Sequence, residues 1–519
     1  VKSICIQYSS FTGEMQAPAG GRYAAANFAA RTVAPPGGFG YNRGSIPGGP
    51  GRPPPIQARS ARRIFSERRS FTPMEHNQNA QTLERLFRFL QAGVTPWHAV
   101  AEAAAWLEAA GYTRLEEAAY WNLEPGGRYY VTRNGSSIAA WRVPEHAIGG
   151  WRMSIAHSDA PGWRIKPAKS TAAGCERLPV EGYGGMIMPT WLDRPLGVAG
   201  RVLVREENGL STRLVSIDRP VAVIPSLCIH FDRSCNSGHT YNPQADMQPL
   251  YGPEGCRPLD SLVADALGVT EADIVSSELM LVTLQPPVQA GPEGEYYMAP
   301  RIDDLGCAAA TLMGFLDADA ACDSACAPVW AMLDNEEVGS STRQGAQSTF
   351  LRDLLDRILD AVPHSGQAMA RALANSFCLS ADNAHAAHPN FPEKSDPVSP
   401  VRLGGGVVIK YNASQKYATT AYSGAVFGEI CRMAGVPTQR FANRADVPGG
   451  STLGNLQANT VPVPTADIGL PQLAMHSAVE TAACADADAM RRAVAAFYRA
   501  HIRALGDGRC TLEPEARTE

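Results

Sequence analysis

After Pro300 the chain alternates strand-like and helix-like runs. CAAATLMGFLDA has helical spacing, APVWAMLDNEE is strand-like and TFLRDLLDRILDAV is helical; GGVVIKYN (strand), TTAYSGAVFGEICRMAG (helix) and a closing helix over ADAMRRAVAAFYRAHIRAL follow. Parallel strands need long crossovers, which helices fill, so this alternation predicts an α/β fold with a mainly parallel sheet wrapped by helices. Upstream, QTLERLFRFLQAG spaces Leu83, Leu86, Phe87 and Leu90 as one helix face up to Gly93. Thr95-Pro96 then offers a cap and a first-turn proline for a second helix ending at Gly111. RYYVTRNGSSIAAWRV reads as a hairpin turning at Asn134-Gly135, followed by the strand-like WRMSIAHSD.

From about Lys166 to Ala299 the texture changes to short β-branched runs: GVAGRVLVRE, STRLVSI, AVIPSLCIHF and LMLVTLQP, with one helical interval at SLVADAL. The expected organisation is one α/β domain built from 74–165 and 300–519, interrupted by a β-rich insertion over 166–299. Residues 1–73 differ from everything that follows. Nineteen of them are Gly or Pro, and ten Lys/Arg face two Glu. Such a segment buries too little apolar surface to offset its ordering entropy, so it is expected to be a disordered tail. Its Arg content loosely resembles an organellar transit peptide; the other reading is a plain tail, or translated upstream sequence with Met74 as the start.

The net charge of the whole chain is -5, and since the first 73 residues carry +8, the remainder is acidic. A nucleic-acid partner is therefore not expected, nor is a membrane span, because no run of 18 apolar residues occurs. Twelve scattered cysteines without CxxC pairs read as reduced thiols of a cytoplasmic protein. LGGGVVIK has its glycines before the strand, where phosphate loops need them after it, and no GxSxG elbow is present.

Chemistry-bearing residues recur where strands end. Glu336 and Glu337 lie in LDNEEVGSS, after an apolar strand; His157 and Asp159, two apart and so on one face, follow WRMSI. Asp303 and Asp304 precede a small-residue helix, Asp382, His385 and His388 follow FCLSA, and His476 follows PQLAM. Singly, each has a bland reading as a cap, a solvated turn or a surface histidine. Together they suit the crevice at strand C-termini where open α/β sheets place ligands, and clustered carboxylates there call for a cation.

SIAHSDAPGWRIKP, DNEEVGSSTRQGA, SADNAHAAHPNFPEK, GGVVIKYNASQKYATT, GGSTLGN and DIGLPQLAMHS together resemble, in order from about residue 77 to 485, the motifs of the aspartyl aminopeptidase family. These are dizinc peptidases that remove N-terminal acidic residues. The resemblance implies one zinc at His157, Asp303 and Asp382 and another at Asp303, Glu337 and His476, two ions per subunit. Manganese or cobalt would suit the same donors. It implies Glu336 as general base and Asp159 as the residue orienting His157. It further implies Lys410 as partner of the substrate's acidic side chain, and His385 and Tyr417 as further substrate contacts. His230, from the insertion, would reach a neighbouring subunit's site. The insertion would then serve dimerisation, within a homo-oligomer that in relatives is a dodecamer.

Three positions depart from the family pattern: Asp304 stands where Asn is usual, Ser395 replaces a histidine and Val479 a basic residue. Asp304 either crowds the metals or points outward. Two other functions remain open at this stage. One is a related dizinc amidohydrolase (a deacetylase or carboxypeptidase), and the other is a non-catalytic oligomeric scaffold that binds peptide or metal.

Overall fold

Nine strands form one twisted mixed sheet in the order Thr113–Leu115, Arg128–Arg133, Ser137–Arg142, Cys326–Leu333, Gly150–His157, Phe377–Ala381, Thr465–Gly469, Val407–Tyr411, Thr438–Ala442. Five of its neighbouring pairs run parallel and three antiparallel. The structure is a computed structural model that describes residues 73–513 apart from 146–147, 319–325 and 365. The tail expected over 1–73 lies, but for its last residue, outside the described residues.

The central strands are buried on both faces, which is why their sequences are near-continuous apolar runs. Alternate residues feed two cores. Along Cys326–Leu333, Val329, Ala331 and Leu333 face the helices Phe350–Asp360 and Ala368–Ala374. Trp330 and Met332 face the layer formed by Pro73–Ala92, Pro96–Ala109, Ile302–Asp317, Ala421–Met433 and Cys484–Arg499. The expected hairpin turns through residues 134–136, with Asn134 and Gly135 both left-handed at φ 59° and 65°, a conformation that Gly and Asn adopt most readily.

A second, antiparallel sheet runs Gly209–Ala222, Leu196–Glu206, Ile274–Thr283, Gly162–Ile165, Val180–Tyr183. It packs Trp163, Val198, Val202, Val215, Ile217 and Leu281 into a core of its own, with the helix Leu259–Leu267 beside it. A third, small sheet was not foreseen: Val288–Ala290, Tyr296–Ala299, Glu480–Ala483, Pro471–Leu473 and Ala384–His385. Its strands are too short to carry a period in sequence, yet they border Asp303, His476 and Asp382.

Two local expectations are corrected. AVIPSLCIHF does not continue as a strand: the regular strand ends at Ala222, and Leu227, Ile229 and Phe231 are exposed on the loop that follows. Pro225 lacks the N–H that a strand ladder needs. The closing helix stops at Arg499, and His501–Gly506 turns back on Arg509–Glu513 as a hairpin. Glycines at 506 and 508, both at positive φ, make that turn, and the buried Arg152 guanidinium donates to the Ile502 carbonyl.

One close approach bears directly on the site. A Cβ on Gly469 would stand 2.1 Å from the Asp382 carbonyl oxygen. Gly469→Ala is therefore expected to push the Asp382 segment away, lowering stability by about 1–3 kcal/mol and weakening metal retention. Thermal melts and metal analysis of the variant check both.

Candidate metal centre

Three adjacent parallel strands end at the same level, Leu333 lying beside His157 and Ser380 beside Ile155. Their C-terminal ends deliver His157, the Glu336–Val338 turn and Asp382 into one crevice. Asp303 arrives from the first turn of Ile302–Asp317, where the backbone departs from helical geometry, and His476 from a left-handed position at φ 67°.

Asp303 is the hub. Its Oδ1 lies 3.5 Å from His157 Nε2 and its Oδ2 3.4 Å from His476 Nε2. Glu337 Oε1 is 3.3 Å from the same His476 nitrogen. One donor atom each of His157, Asp303, Asp304 and Asp382 falls within 4.8 Å of the others, as do those of Asp303, Glu337 and His476 and those of His157, Glu336 and Glu337. The five residues expected as ligands thus converge in two sets that share Asp303.

Asp159 organises the turn opposite. Its Oδ1 accepts from the Glu336 N–H and its Oδ2 from the Glu337 N–H, both at 3.1 Å, and Tyr183 donates to Oδ2 at 2.7 Å. His157 Nδ1 lies 3.0 Å from the Asp159 carbonyl oxygen and 3.4 Å from its Oδ1, which leaves Nε2 to face Asp303. Asn335, at φ 65°, ties the turn down: it donates to Tyr183 and accepts from Thr342 and Gln344, each at 2.8 Å.

The charges show what the crevice is built for. Burial, reinforced by Asp382 and Glu337, raises the Glu336 carboxyl to about 8. Burial, reinforced by Asp303, raises Glu337 to about 7. Although burial works against it, His476 is pushed up to about 11 by Asp303 and Glu337. His157 is likewise raised against its burial, by Asp304 and then Asp159 and Asp303. Meanwhile Asp303 Oδ1 and Asp304 Oδ1 are buried with no hydrogen-bond donor, a costly arrangement unless a cation takes them up. Two imidazole nitrogens among carboxylate oxygens are donors that suit zinc.

The sequence profile described as "Aminopeptidase I zinc metalloprotease (M18)" matches residues 89–498. The chain belongs to the M18 family. It is 38% identical over 426 residues to a probable M18 family aminopeptidase 2 of Clostridium acetobutylicum, covering 80% of this chain and 98% of that one. A Pseudomonas aeruginosa relative of the same description is 39% identical over 429 residues, covering 81% and 98%. Among solved structures it resembles the "Ape4 and Nbr1 complex" at a TM-score of 0.79 and 32% identity, covering 82% of this chain and 87% of that one. It resembles the S. cerevisiae mApe1 dodecamer at 0.73 and 27%, covering 82% and 97%. The protein is a zinc metallo-aminopeptidase of α/β fold.

In this M18 aminopeptidase the remaining expected site residues are placed as follows. Lys410 is buried: its Nζ donates to the Asp382 and Asn383 carbonyls at 2.7 and 3.3 Å, stands 3.3 Å from Asp382 Oδ2 and lies 5.3 Å from the Tyr417 ring centre. Tyr417 is buried against it, while His385 is exposed at the edge of the small sheet, with its ring 6.3 Å from that of Phe441. His230 is exposed on the loop after Ile224 and, among the described residues, forms no part of the cluster. His388 packs on Phe391, away from the ligand sets. Asp304 does not point outward: it is fully buried and its Oδ2 accepts from the His157 N–H at 3.1 Å. Val479 is buried, and Ser395 ends the short turn Pro392–Lys394.

Tyr183, Asn335 and Glu480 escaped the reading of the sequence. Each acts on a ligand's backbone or on another positioning group, and no spacing rule announces such contacts. The only trace was that Glu480 sits four residues beyond His476.

Proposed function

We propose that this aminopeptidase binds two zinc ions, at His157/Asp303/Asp382 and at Asp303/Glu337/His476, and releases N-terminal Asp and Glu in preference to other residues. The single observation that carries the reading is Asp303, whose two oxygens each face a different histidine. Zinc held there supplies polarisation of the scissile carbonyl and acidification of water. Glu336 is the general base: its N–H is fixed by Asp159 and its carboxylate is left out of both proposed ligand sets, free to accept a proton from the attacking water and return it to the leaving amine. Asp159 holds the His157 ring, and Tyr183 holds Asp159.

Lys410 supports the acidic preference as a cation held beside the proposed ligand Asp382, with Tyr417 next to it. The exposed Leu227, Ile229 and Phe231 around His230 support assembly into a homo-oligomer, a dodecamer as in the yeast relative, with the insertion at 166–299 as the dimerising module.

The test is a scan of peptides differing only at the N-terminal residue, with and without chelator and zinc add-back. For Lys410→Ala, the ratio of kcat/KM for Asp-starting over Leu-starting peptides is expected to fall about 10- to 100-fold, the worth of one charge-assisted hydrogen bond. Equal losses on both substrates together with lost zinc would assign Lys410 to Asp382 alone. Hydrolysis of N-acetylated peptides or of C-terminal residues in place of free N-termini would favour the amidohydrolase reading.

A further inference from the structure

Beneath the proposed ligands lies a buried carboxylate that the proposed chemistry does not use. Glu480, 1% exposed, stands on the small-sheet strand Glu480–Ala483. Its Oε2 accepts from the Asp303 N–H at 3.0 Å and its Oε1 from the His476 N–H at 2.7 Å. Two residues from distant parts of the chain, both in the same proposed ligand set, thus have their backbones fixed by one side chain.

The brace extends further. Glu480 Oε1 also takes Gln472 Nε2 at 3.4 Å; Gln472 Oε1 accepts from Asn383 Nδ2, which also donates to the Ile302 carbonyl at 3.1 Å; and Cys307 Sγ lies 2.7 Å from Asn383 Oδ1. Gln472, Asn383 and Cys307 are buried as well. Asn383 directly follows Asp382, so the same polar spine ties that residue to Asp303 and His476. Two of the five strands of the small sheet, Pro471–Leu473 and Glu480–Ala483, supply this spine, and Asn383 directly precedes a third, Ala384–His385.

We propose that Glu480 is a positioning residue that sets the spacing of Asp303 and His476 and thereby the zinc affinity of the site they share with Glu337. A carboxylate is required because two N–H groups converge on it, one on each oxygen. An amide of the same shape has a single acceptor oxygen and would turn its NH₂ toward the other N–H, leaving two donors face to face in a dry interior. Losing such an outer support typically weakens metal binding 10- to 100-fold.

The inference rests on the zinc reading of the site, and the experiment separates the two. Zinc affinity of the full chain is measured by competition with a chromophoric chelator, and cobalt substitution reports ligand geometry through its visible spectrum; neither readout needs turnover. Wild type is expected to bind zinc tightly, and failure to do so refutes the zinc reading itself. Glu480→Gln is expected to bind 10- to 100-fold more weakly with an altered cobalt spectrum, whereas Gln472→Met, which keeps both backbone contacts, is expected to lose no more than a few-fold. Native zinc affinity and spectrum in Glu480→Gln, even with a lowered Tm, overturn the proposal, since a merely structural glutamate would behave that way. If Glu480→Gln does not fold, Glu480→Asp keeps the charge on a shorter arm that can reach only one N–H. At least a tenfold loss is then expected, and wild-type affinity again overturns it.

Discussion

Glu336→Gln is expected to lower kcat by about a thousandfold, within the range that a positioned proton carrier contributes, while zinc content, fold and oligomer size stay as in the wild type. The amide occupies the same volume and can still accept a hydrogen bond from water, but it cannot take the proton. Nothing that holds the turn is lost, because Asp159 grips residue 336 through its backbone N–H. The neighbouring glutamate gives the opposite signature. Glu337 faces His476 and belongs with it and Asp303 to one of the proposed ligand sets, so Glu337→Gln should shed metal and lose activity in a way that excess zinc partly restores. Steady-state kinetics paired with metal analysis on the two variants distinguishes base from ligand. More than a tenth of wild-type turnover in Glu336→Gln, with peptide and zinc saturating, would remove it from the proton path.

The different roles proposed for these two adjacent residues come from the family resemblance alone. The strand pattern alone would have sent their side chains to opposite faces, and the structure explains how they come together. The strand ends at Leu333, and a short 3₁₀ turn aims both residues at one crevice. The main sheet and its helices were readable because long elements carry their period: the Leu351, Leu354, Leu355 and Ile358 stripe could only be a helix face on a core. The small sheet was not readable, since strands of two to four residues show no alternation. Apolar content misled at Leu227, Ile229 and Phe231, which look like a core strand and are exposed on a loop. It misled again at HIRAL, whose alanine and leucine suit a helix as well as the hairpin they enter. Asp304 was ambiguous for a different reason. Whether a carboxylate beside a ligand turns inward depends on a backbone N–H from another strand, here that of His157, and no local pattern encodes it.

Removing metal should abolish hydrolysis completely and should also make stability depend on pH in a direction the charges fix. Without a cation, Glu336 and Glu480 titrate near 8 and Glu337 near 7, all raised by burial from an ordinary value of 4.5. Between that ordinary value and the raised one, the folded protein holds more protons than the unfolded chain, so each of these groups makes stability fall as pH rises through the interval. His476 acts in the same direction: its pKa, pushed from 6.5 to about 11 by Asp303 and Glu337, gives a contribution fully present below pH 6.5 and lost as pH climbs through 11. The chelator-treated protein should therefore lose stability steadily between pH 5 and 8, seen as a Tm that falls as pH rises. Zinc reverses the logic, because its ligands must release their protons to bind it, so its affinity strengthens as pH rises. At a thousandfold excess over Kd, zinc adds about 4 kcal/mol and should flatten the slope. Melting curves of chelated and zinc-restored protein at pH 5, 6.5 and 8 test this. A metal-free protein as stable at pH 8 as at pH 5, or one whose zinc-restored form shows the steeper slope, would mean that these carboxylates and histidines do not share a cation.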